Sequence, residues 1–467
     1  MTKSSVTKKT IWLSGLLLCF LCACDDQLDI VPKGQITLSK VSELELLLNQ
    51  EYMMNDCPAE SLGRICGESL GMFDQVASVL SQKNTCAYAF LTGSESVDRA
   101  VLTGSDSRYN ALYRYISYMN VITGNIDDAV GDDSAKPSIK AEARVMRAYL
   151  EWLAVALYAR QYDASYSDDE GGVPYPTSIS VSEQKTKLSL ADTYARILED
   201  VSDEVIADLP DDRRGNVMRG DKAWGNAVRA VALFQMKRYD EALPYARKAL
   251  ALRPDIFDRS QVKADGKWIQ SFDSPNNIFY MEGAVRVSPT MVMLTPETFA
   301  LFETDDYVVK YEGEKGWSSS FGESMSGLPG CRSYYGWDAA CNVYGLTSEM
   351  LYYLAAECLI RAGQTAEGLA LVDQVRQCRV ENAQPSVAGT EAEAMELLRK
   401  AKWVEQIGTP FNFIDCKRWN SEVAYRRTIV KDLGSFGTFE VAYDSKLWIM
   451  AFPANAVRYN ASLTQNY

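Results

Sequence analysis

The chain has 467 residues, of which 47% are hydrophobic, and a formal net charge of −14 at pH 7. An acidic balance of this size disfavours nucleic-acid partners, which select basic surfaces. Histidine is absent from the whole sequence, which excludes Ser-His-Asp and Cys-His catalysis and every zinc site that uses imidazole.

The first 24 residues have the pattern of an exported lipoprotein. A basic head with three lysines precedes an apolar run over 11–21 that is too short to cross a membrane as a stable helix. The sequence Leu21-Cys22-Ala23-Cys24 then resembles a bacterial lipobox. It predicts a signal peptide over 1–23 and an acylated Cys24, which would anchor the chain to a membrane through lipid alone. An ordinary cleaved signal is the alternative.

Residues 24–38 lack helical periodicity and predict a lipidated tether ahead of a single domain over 39–467. Within that domain, paired helical patterns occupy four segments: 139–209, 221–254, 347–380 and 391–425. Small alanines at regular spacing, as over 224–254, let two antiparallel helices approach closely, in the manner of tetratricopeptide repeats. Generic helical hairpins are the alternative. The predicted fold class is mainly α, with few short strands.

Residues 255–346 differ from these helical segments. Glycine and serine become more frequent, helical periodicity fades, and short β-like runs occur at 278–280 and at Val308–Val309. Long irregular segments within compact domains are commonly functional. We therefore expect the ligand-binding region here.

Seven short motifs, taken in chain order, resemble the SusD/RagB family of outer-membrane nutrient-binding lipoproteins. They are Cys24 with Leu28-Asp29-Ile30, Tyr113 to Ile126, Ala141-Glu142-Ala143-Arg144 with Arg147-Ala148-Tyr149, Gly171-Gly172-Val173-Pro174, Ala355-Ala356-Glu357, Phe413-Ile414-Asp415 with Lys417-Arg418-Trp419, and Leu463-Thr464-Gln465-Asn466. The chain departs from the family at Asn460-Ala461, where the family has Asn-Pro, and lacks an arginine expected before Ala355.

The resemblance implies four tetratricopeptide-like units, with irregular loops on the opposite side that hold the ligand. It implies a lipoprotein on the outer membrane, facing the cell exterior, that binds an oligosaccharide and delivers it to a SusC-like TonB-dependent transporter. No catalysis, cofactor or metal site is expected. A peptide ligand, a purely assembling protein and a glycoside hydrolase remain as alternatives.

The ligand residues are predicted from chemistry, because sugars offer flat C–H faces to aromatic rings and hydroxyls to polar groups. Residues 311–345 contain seven aromatic residues, or 20%, against 11% for the chain. A minicore under a long loop is the alternative interpretation of these aromatics. The predicted ligand residues are Trp337, Tyr335, Tyr334, Trp317, Arg332 and Asp338, with Phe73 and Asp74 as a second wall.

Other residues of this segment complete the prediction. Tyr344 and Asn342 belong to the same aromatic and polar set. Cys331 and Cys341 flank the loop and are the first candidate for a disulfide, which would order the loop before binding. Cys57 and Cys66 are the second candidate pair.

Overall fold

Helices are the main secondary structure of the residues that the structure describes. The computed structural model describes residues 38–71, 75–180, 185–213, 215–261, 272–283, 292–310, 317–334 and 342–467, the side chains of 317–321 and 334 excepted. The helices are α1 Val41–Leu46, α2 Leu62–Cys66, α3 Val76–Ser81, α4 Cys86–Thr92, α5 Arg99–Leu102, α6 Ser107–Asn125, α7 Lys136–Tyr158, α8 Leu190–Asp200, α9 Asp203–Asp208, α10 Lys222–Gln235, α11 Tyr239–Leu252, α12 Pro296–Phe299, α13 Tyr307–Lys310, α14 Ser319–Ser326, α15 Ser348–Arg361, α16 Thr365–Gln377, α17 Glu391–Glu405, α18 Phe411–Asn420 and α19 Ala454–Tyr459.

In the part of the chain that the structure describes, the strands are short and form three small antiparallel sheets. They are β1 Gly171–Pro174, β2 Lys187–Ser189, β3 Met293–Leu294, β4 Trp317–Ser318, β5 Arg332–Tyr334, β6 Ile429–Asp432 and β7 Thr438–Val441. β1 pairs with β2, β6 pairs with β7, and the third sheet has the order β3-β5-β4. This architecture confirms the predicted mainly α fold class.

Helix α7 is the centre of the scaffold. Pro137 lies in its first turn, where a missing N–H costs nothing. From Ile139 to Tyr158 nearly every side chain is buried, including the charged residues Glu142, Arg147 and Glu151. A helix that is buried on all sides is enclosed by other elements. Helices α6, α8 and α9 pack against it.

Neighbouring helices pack as pairs along the chain: α7 with α8, α10 with α11, and α15 with α16. Residues 391–425 hold helices α17 and α18. Side-chain caps begin several of these helices. Asp221 accepts a hydrogen bond from the backbone N–H of Trp224 at 3.0 Å, and Thr390 with Glu393 forms a capping box at the start of α17. Such caps satisfy backbone donors that have no partner inside the helix.

Some of the described motifs that carry the family resemblance are contacts within this scaffold. Arg147 on α7 donates to both carboxylate oxygens of Asp200, at 2.7 and 2.9 Å. Gly172 in β1 is approached so closely by α8 that an added Cβ would lie 2.2 Å from Thr193 Oγ1. These sequence signals therefore report how the helices pack and say nothing directly about a ligand.

The C-terminal tail is bound into the core by its last residues. Gln465 accepts from the Phe452 backbone N–H at 2.8 Å and donates to the Phe452 carbonyl at 2.9 Å. Asn466 donates to the carbonyls of Tyr158 and Gly172, both at 2.9 Å. The tail thus joins the end of α7 to strand β1.

Two local predictions for residues 255–346 are wrong. Val308 and Val309 belong to helix α13, where Asp306 accepts from the Val308 N–H at 2.8 Å and starts the turn. Residues 278–280 are buried but lie in irregular backbone, with the N–H groups of Ile278 and Phe279 bonded to the Leu346 carbonyl. Burial explains their apolar character without a strand.

The residues that the structure describes include no helix with the length and hydropathy needed to cross a membrane. The predicted signal peptide, Cys24 and most of the tether lie outside the described residues.

Candidate functional site

The three-stranded sheet is the part of the described region that brings predicted ligand residues together. Trp317 in β4 is paired with Tyr334 in β5, and Leu294 in β3 is paired with Arg332 in β5. Directly opposite residues, and residues two apart on one strand, occupy the same face of an antiparallel sheet. The backbone register therefore places Trp317, Tyr334, Arg332 and Leu294 on one face, named here the ligand face.

Arg332 is held in place by an aromatic ring. Its guanidinium carbon lies 4.2 Å from the centroid of the Phe299 ring, at the end of α12. Partial burial lowers the pKa of Arg332 below its usual range. A guanidinium stacked on a ring keeps its N–H groups directed sideways, where they can donate to hydroxyl or carboxylate oxygens.

The opposite face of the sheet belongs to the core. Met293 and Ser333 are paired across the strands and are both 0% exposed. Helix α14 covers this side so closely that a Cβ added at Gly322 would lie 2.6 Å from the Cys331 carbonyl oxygen. Glycine at this position is required for that approach. On the ligand face Leu294 is also 0% exposed, in an apolar cluster with Phe302 and Val308, so the described side chain there that is partly exposed is Arg332.

The second predicted wall lies at the edge of the same sheet. The Leu70 N–H donates to the Met293 carbonyl at 2.8 Å, and the Met293 N–H donates to the Gly71 carbonyl at 3.0 Å. Residues 69–71 thus add a fourth extended segment beside β3. Four neighbouring segments span about 14 Å at the usual inter-strand spacing, which is the scale of a short oligosaccharide.

Several predicted residues lie outside the described ranges. They are Phe73, Asp74, Tyr335, Trp337, Asp338 and Cys341. Their proposed roles, and the proposed Cys331–Cys341 disulfide, stay predictions. Gly71 and Tyr334, which immediately precede two of these segments, are both part of the sheet just described.

Tyr344 and Asn342 have structural roles, contrary to their assignment to the ligand set. Tyr344 is 0% exposed, and its hydroxyl donates to Asp56 at 2.7 Å while accepting from Arg108 Nε at 2.9 Å. The Asn342 side chain accepts from the backbone N–H groups of Met281 and Gly345, at 3.1 and 2.9 Å. For these two residues the minicore interpretation is correct.

Cys57 and Cys66, the second candidate pair, are both free thiols in this structure. Cys57 is partly buried and packs against an apolar cluster that contains Val292 and Leu294, whereas Cys66 is buried at the end of α2. The interaction partner of the Cys66 thiol is a different cysteine, Cys416.

Glu68 is the described carboxyl group at this sheet that most resembles a general acid. Burial raises its pKa to about 7, a value that suits proton transfer at neutral pH. Both of its oxygens are, however, already bonded, one to the Asn412 side-chain amide at 2.7 Å and one to the Gly408 N–H at 2.8 Å. This geometry assigns Glu68 to the joining of α2 and α18.

A cavity of about 330 Å³ lies elsewhere, beside α16 and α17. Apolar side chains line much of it, among them Leu301, Val387 and Val404. Its central cation, Arg376, is already paired with both oxygens of Glu303, at 2.8 and 2.9 Å. Of the predicted ligand residues that the structure describes, none lines this cavity.

Sequence reasoning missed Phe299, the residue whose ring stacks against the Arg332 guanidinium. The available signal was Thr295-Pro296, a capping threonine followed by proline, which predicts a helix start just before Phe299. The distance along the chain between Phe299 and Arg332 gave no sign that their side chains meet.

Comparisons with known proteins agree with this architecture. No family model and no curated protein sequence matches the chain. Among solved structures, a SusD-like carbohydrate-binding protein from Bacteroides vulgatus has a TM-score of 0.67 and 16% identity over 92% of this chain and 98% of its own. A SusD superfamily protein from Bacteroides thetaiotaomicron has a TM-score of 0.69 and 15% identity over 92% of this chain and 100% of its own.

A third similar structure is a SusD-like carbohydrate-binding protein from Bacteroides fragilis, with a TM-score of 0.64 and 14% identity over 92% of this chain and 100% of its own. The likeness extends over nearly the whole of each chain, whereas the sequences share few residues. The chain therefore has the SusD-like fold that its sequence motifs predict.

Proposed function

We propose that this chain is an outer-membrane lipoprotein that captures an oligosaccharide on the ligand face and delivers it to a SusC-like TonB-dependent transporter. The observation that carries the proposal is the sheet register, which pairs Trp317 with Tyr334 and places Arg332 on the same face. Two similar structures are described as carbohydrate-binding proteins, which supports a sugar as the ligand.

The binding mechanism is non-covalent. Aromatic rings at 317 and 334 stack on sugar C–H faces, while Arg332, seated on Phe299, donates hydrogen bonds to hydroxyl oxygens. Phe73, Asp74, Tyr335, Trp337 and Asp338 lie outside the described residues and stay ligand residues predicted from the sequence. Capture and release without chemistry require no catalytic group.

The glycoside hydrolase alternative requires two carboxyl groups roughly 5–10 Å apart across a sugar bond. Glu68 has a suitable pKa but is 1% exposed and bonded at both oxygens, which argues against that role. A peptide ligand would also use the edge of the sheet, through backbone pairing. The two ligand classes are separated by the binding experiment that follows.

The test is affinity electrophoresis of the chain without residues 1–24 in gels that contain plant, host or microbial polysaccharides. We expect one glycan class to retard the protein and Trp317→Ala or Tyr334→Ala to abolish the retardation. Tyr459→Ala is the matched control, because Tyr459 is an aromatic residue that is 80% exposed on α19, outside the sheet.

Circular dichroism and thermal unfolding of each variant separate lost binding from lost folding. Retardation that survives both substitutions would place the glycan elsewhere on the molecule. No retardation by any glycan, together with binding of a peptide library, would replace the sugar by a peptide. No binding of either ligand would favour an assembly role.

A further inference from the structure

The thiols of Cys66 and Cys416 lie side by side in the core. The two side chains are 3% and 2% exposed, and each thiol has the other among its interaction partners. Both are free thiols in this structure. Cys66 is the last residue of α2, and Cys416 lies in the middle of α18.

Independent contacts fix these two helices against each other. Helices α2 and α18 pack directly. Glu68, two residues after Cys66, accepts from the side-chain amide of Asn412 at 2.7 Å. Asn412 precedes Cys416 by four residues and so shares its face of α18. One face of α18 therefore contacts the end of α2 twice. Asn412 contacts Glu68, and Cys416 contacts Cys66.

We propose that Cys66 and Cys416 are a disulfide site, which closes when the exported chain meets a thiol–disulfide oxidoreductase. The Cys416 thiolate attacks a sulfur of the oxidant's disulfide and forms a mixed disulfide. The Cys66 thiolate then attacks Cys416 Sγ and releases the second oxidant sulfur. Two thiol protons and two electrons leave the chain, and the oxidant becomes a dithiol.

The bond forms while the chain is folding. Both thiols are buried once α2 and α18 have packed, so the oxidant must react with them before that packing is complete. A thiolate is the nucleophilic form of cysteine, and the packed helices afterwards enclose the bond.

The bond would join the ligand face to the scaffold. Residues 69–71, which begin three positions after Cys66, pair with β3. Helix α18, which carries Cys416, belongs to the helical scaffold. A covalent link between Cys66 and Cys416 would restrain this edge of the sheet before a ligand arrives, which lowers the entropy cost of binding.

The test is peptide mapping of the full-length protein, expressed with its own leader, extracted in detergent and kept unreduced. Free thiols are alkylated with iodoacetamide under denaturing conditions before digestion with trypsin. Cys66 and Cys416 then lie in two tryptic peptides, 65–83 and 403–417, each with a single cysteine. We expect one linked species whose mass is that of both peptides less two hydrogens, and which disappears on reduction.

Two variants complete the test. Cys416→Ala should leave Cys66 open to iodoacetamide, whereas Cys358→Ala, a buried thiol away from the pair, should leave the linked species intact. Alkylation of both Cys66 and Cys416 in the unreduced wild type would overturn the proposal. So would a linkage of either one to a different cysteine. The mapping of the wild type decides the matter even where a variant fails to fold.

Discussion

Glu357 on α15 and Arg418 on α18 form a two-pronged ion pair in which both side chains are 0% exposed. Arg418 Nη1 and Nη2 donate to the two carboxylate oxygens at 2.7 and 2.8 Å, and Trp419 Nε1 donates to one of the same oxygens at 3.0 Å. Burial opposes ionisation of Glu357, but Arg418 and Arg361 outweigh it and hold its pKa well below the usual range. The pair links two helical units.

Removing one partner of this pair should destabilise the fold strongly. In Glu357→Gln the Arg418 guanidinium stays buried without its full counter-charge, so we expect a loss of about 3–5 kcal/mol in the free energy of unfolding. Urea unfolding followed by circular dichroism measures it. Glu241→Gln, which breaks the surface pair with Arg238, should cost less than about 1 kcal/mol.

The double variant Glu357→Leu with Arg418→Met is the sharper half of this experiment. Because this variant replaces both buried charges by apolar side chains, neither charge of the pair is left buried alone. It should therefore recover much of the stability lost in Glu357→Gln. Equal losses in the single and double variants would mean that packing, and not the unpaired charge, determines the cost.

The stacking of Arg332 on Phe299 should affect ligand affinity without affecting the fold. Phe299→Leu keeps an apolar side chain but removes the ring beneath the guanidinium. Since such contacts are worth about 0.5–1 kcal/mol at partly exposed sites, we expect affinity for the captured glycan to fall roughly two- to fivefold. Isothermal titration calorimetry measures the change, and an unchanged affinity would separate Arg332 from the ligand.

Lys417 gives the stability a predictable pH dependence. It is buried in α18 and donates to the carbonyls of Ala156 and Ala159, and burial lowers its pKa from 10.5 to about 7. Between pH 7 and 10.5 the unfolded chain therefore binds more protons at this group than the folded chain, so its contribution to stability rises with pH across that window.

Lys417→Met removes the amino group that titrates in this window. Each full proton of difference is worth about 1.4 kcal/mol per pH unit. The free energy of unfolding of the wild type, minus that of Lys417→Met, should therefore increase from pH 7 to pH 10. Urea titrations of both proteins at matched pH values measure the difference. Parallel curves would show that Lys417 keeps its proton in the folded state.

Gly172 in β1 should tolerate no side chain. A Cβ there would lie 2.2 Å from Thr193 Oγ1 and 2.6 Å from the Ser189 carbonyl oxygen, so one strand or α8 must shift. We expect Gly172→Ala to lose about 1–3 kcal/mol of stability. Gly104→Ala is the control, because a Cβ at Gly104 meets nothing within 4 Å. Thermal unfolding compares the two, and equal midpoints would contradict the steric argument.

The helical scaffold was predictable because its signals are local and repeated. Helical periodicity and the Thr390 to Glu393 capping box depend on residues three or four apart. The ligand face was predictable only as a composition, since Trp317, Arg332 and Tyr334 meet through a sheet register that the sequence does not encode locally. Tyr344 shows the limit: its ring resembles the others in sequence, but Asp56 and Arg108, far away in the chain, make it part of the core.

The same limit explains the cysteines. Spacing favoured Cys57 with Cys66, which lie nine residues apart, but the structure places Cys66 against Cys416. Contacts across most of the chain length depend on the packing of whole helices, and no pattern within one segment records them.

The tail contacts of Gln465 and Asn466 impose an order on biogenesis. The end of α7 and strand β1 receive hydrogen-bond partners from Asn466, which lies 308 positions after Tyr158 and 294 after Gly172. The native hydrogen bonding of Phe452, Tyr158 and Gly172 therefore cannot be complete until synthesis has passed residue 466. Until then the end of α7 and strand β1 can only be held by their other contacts.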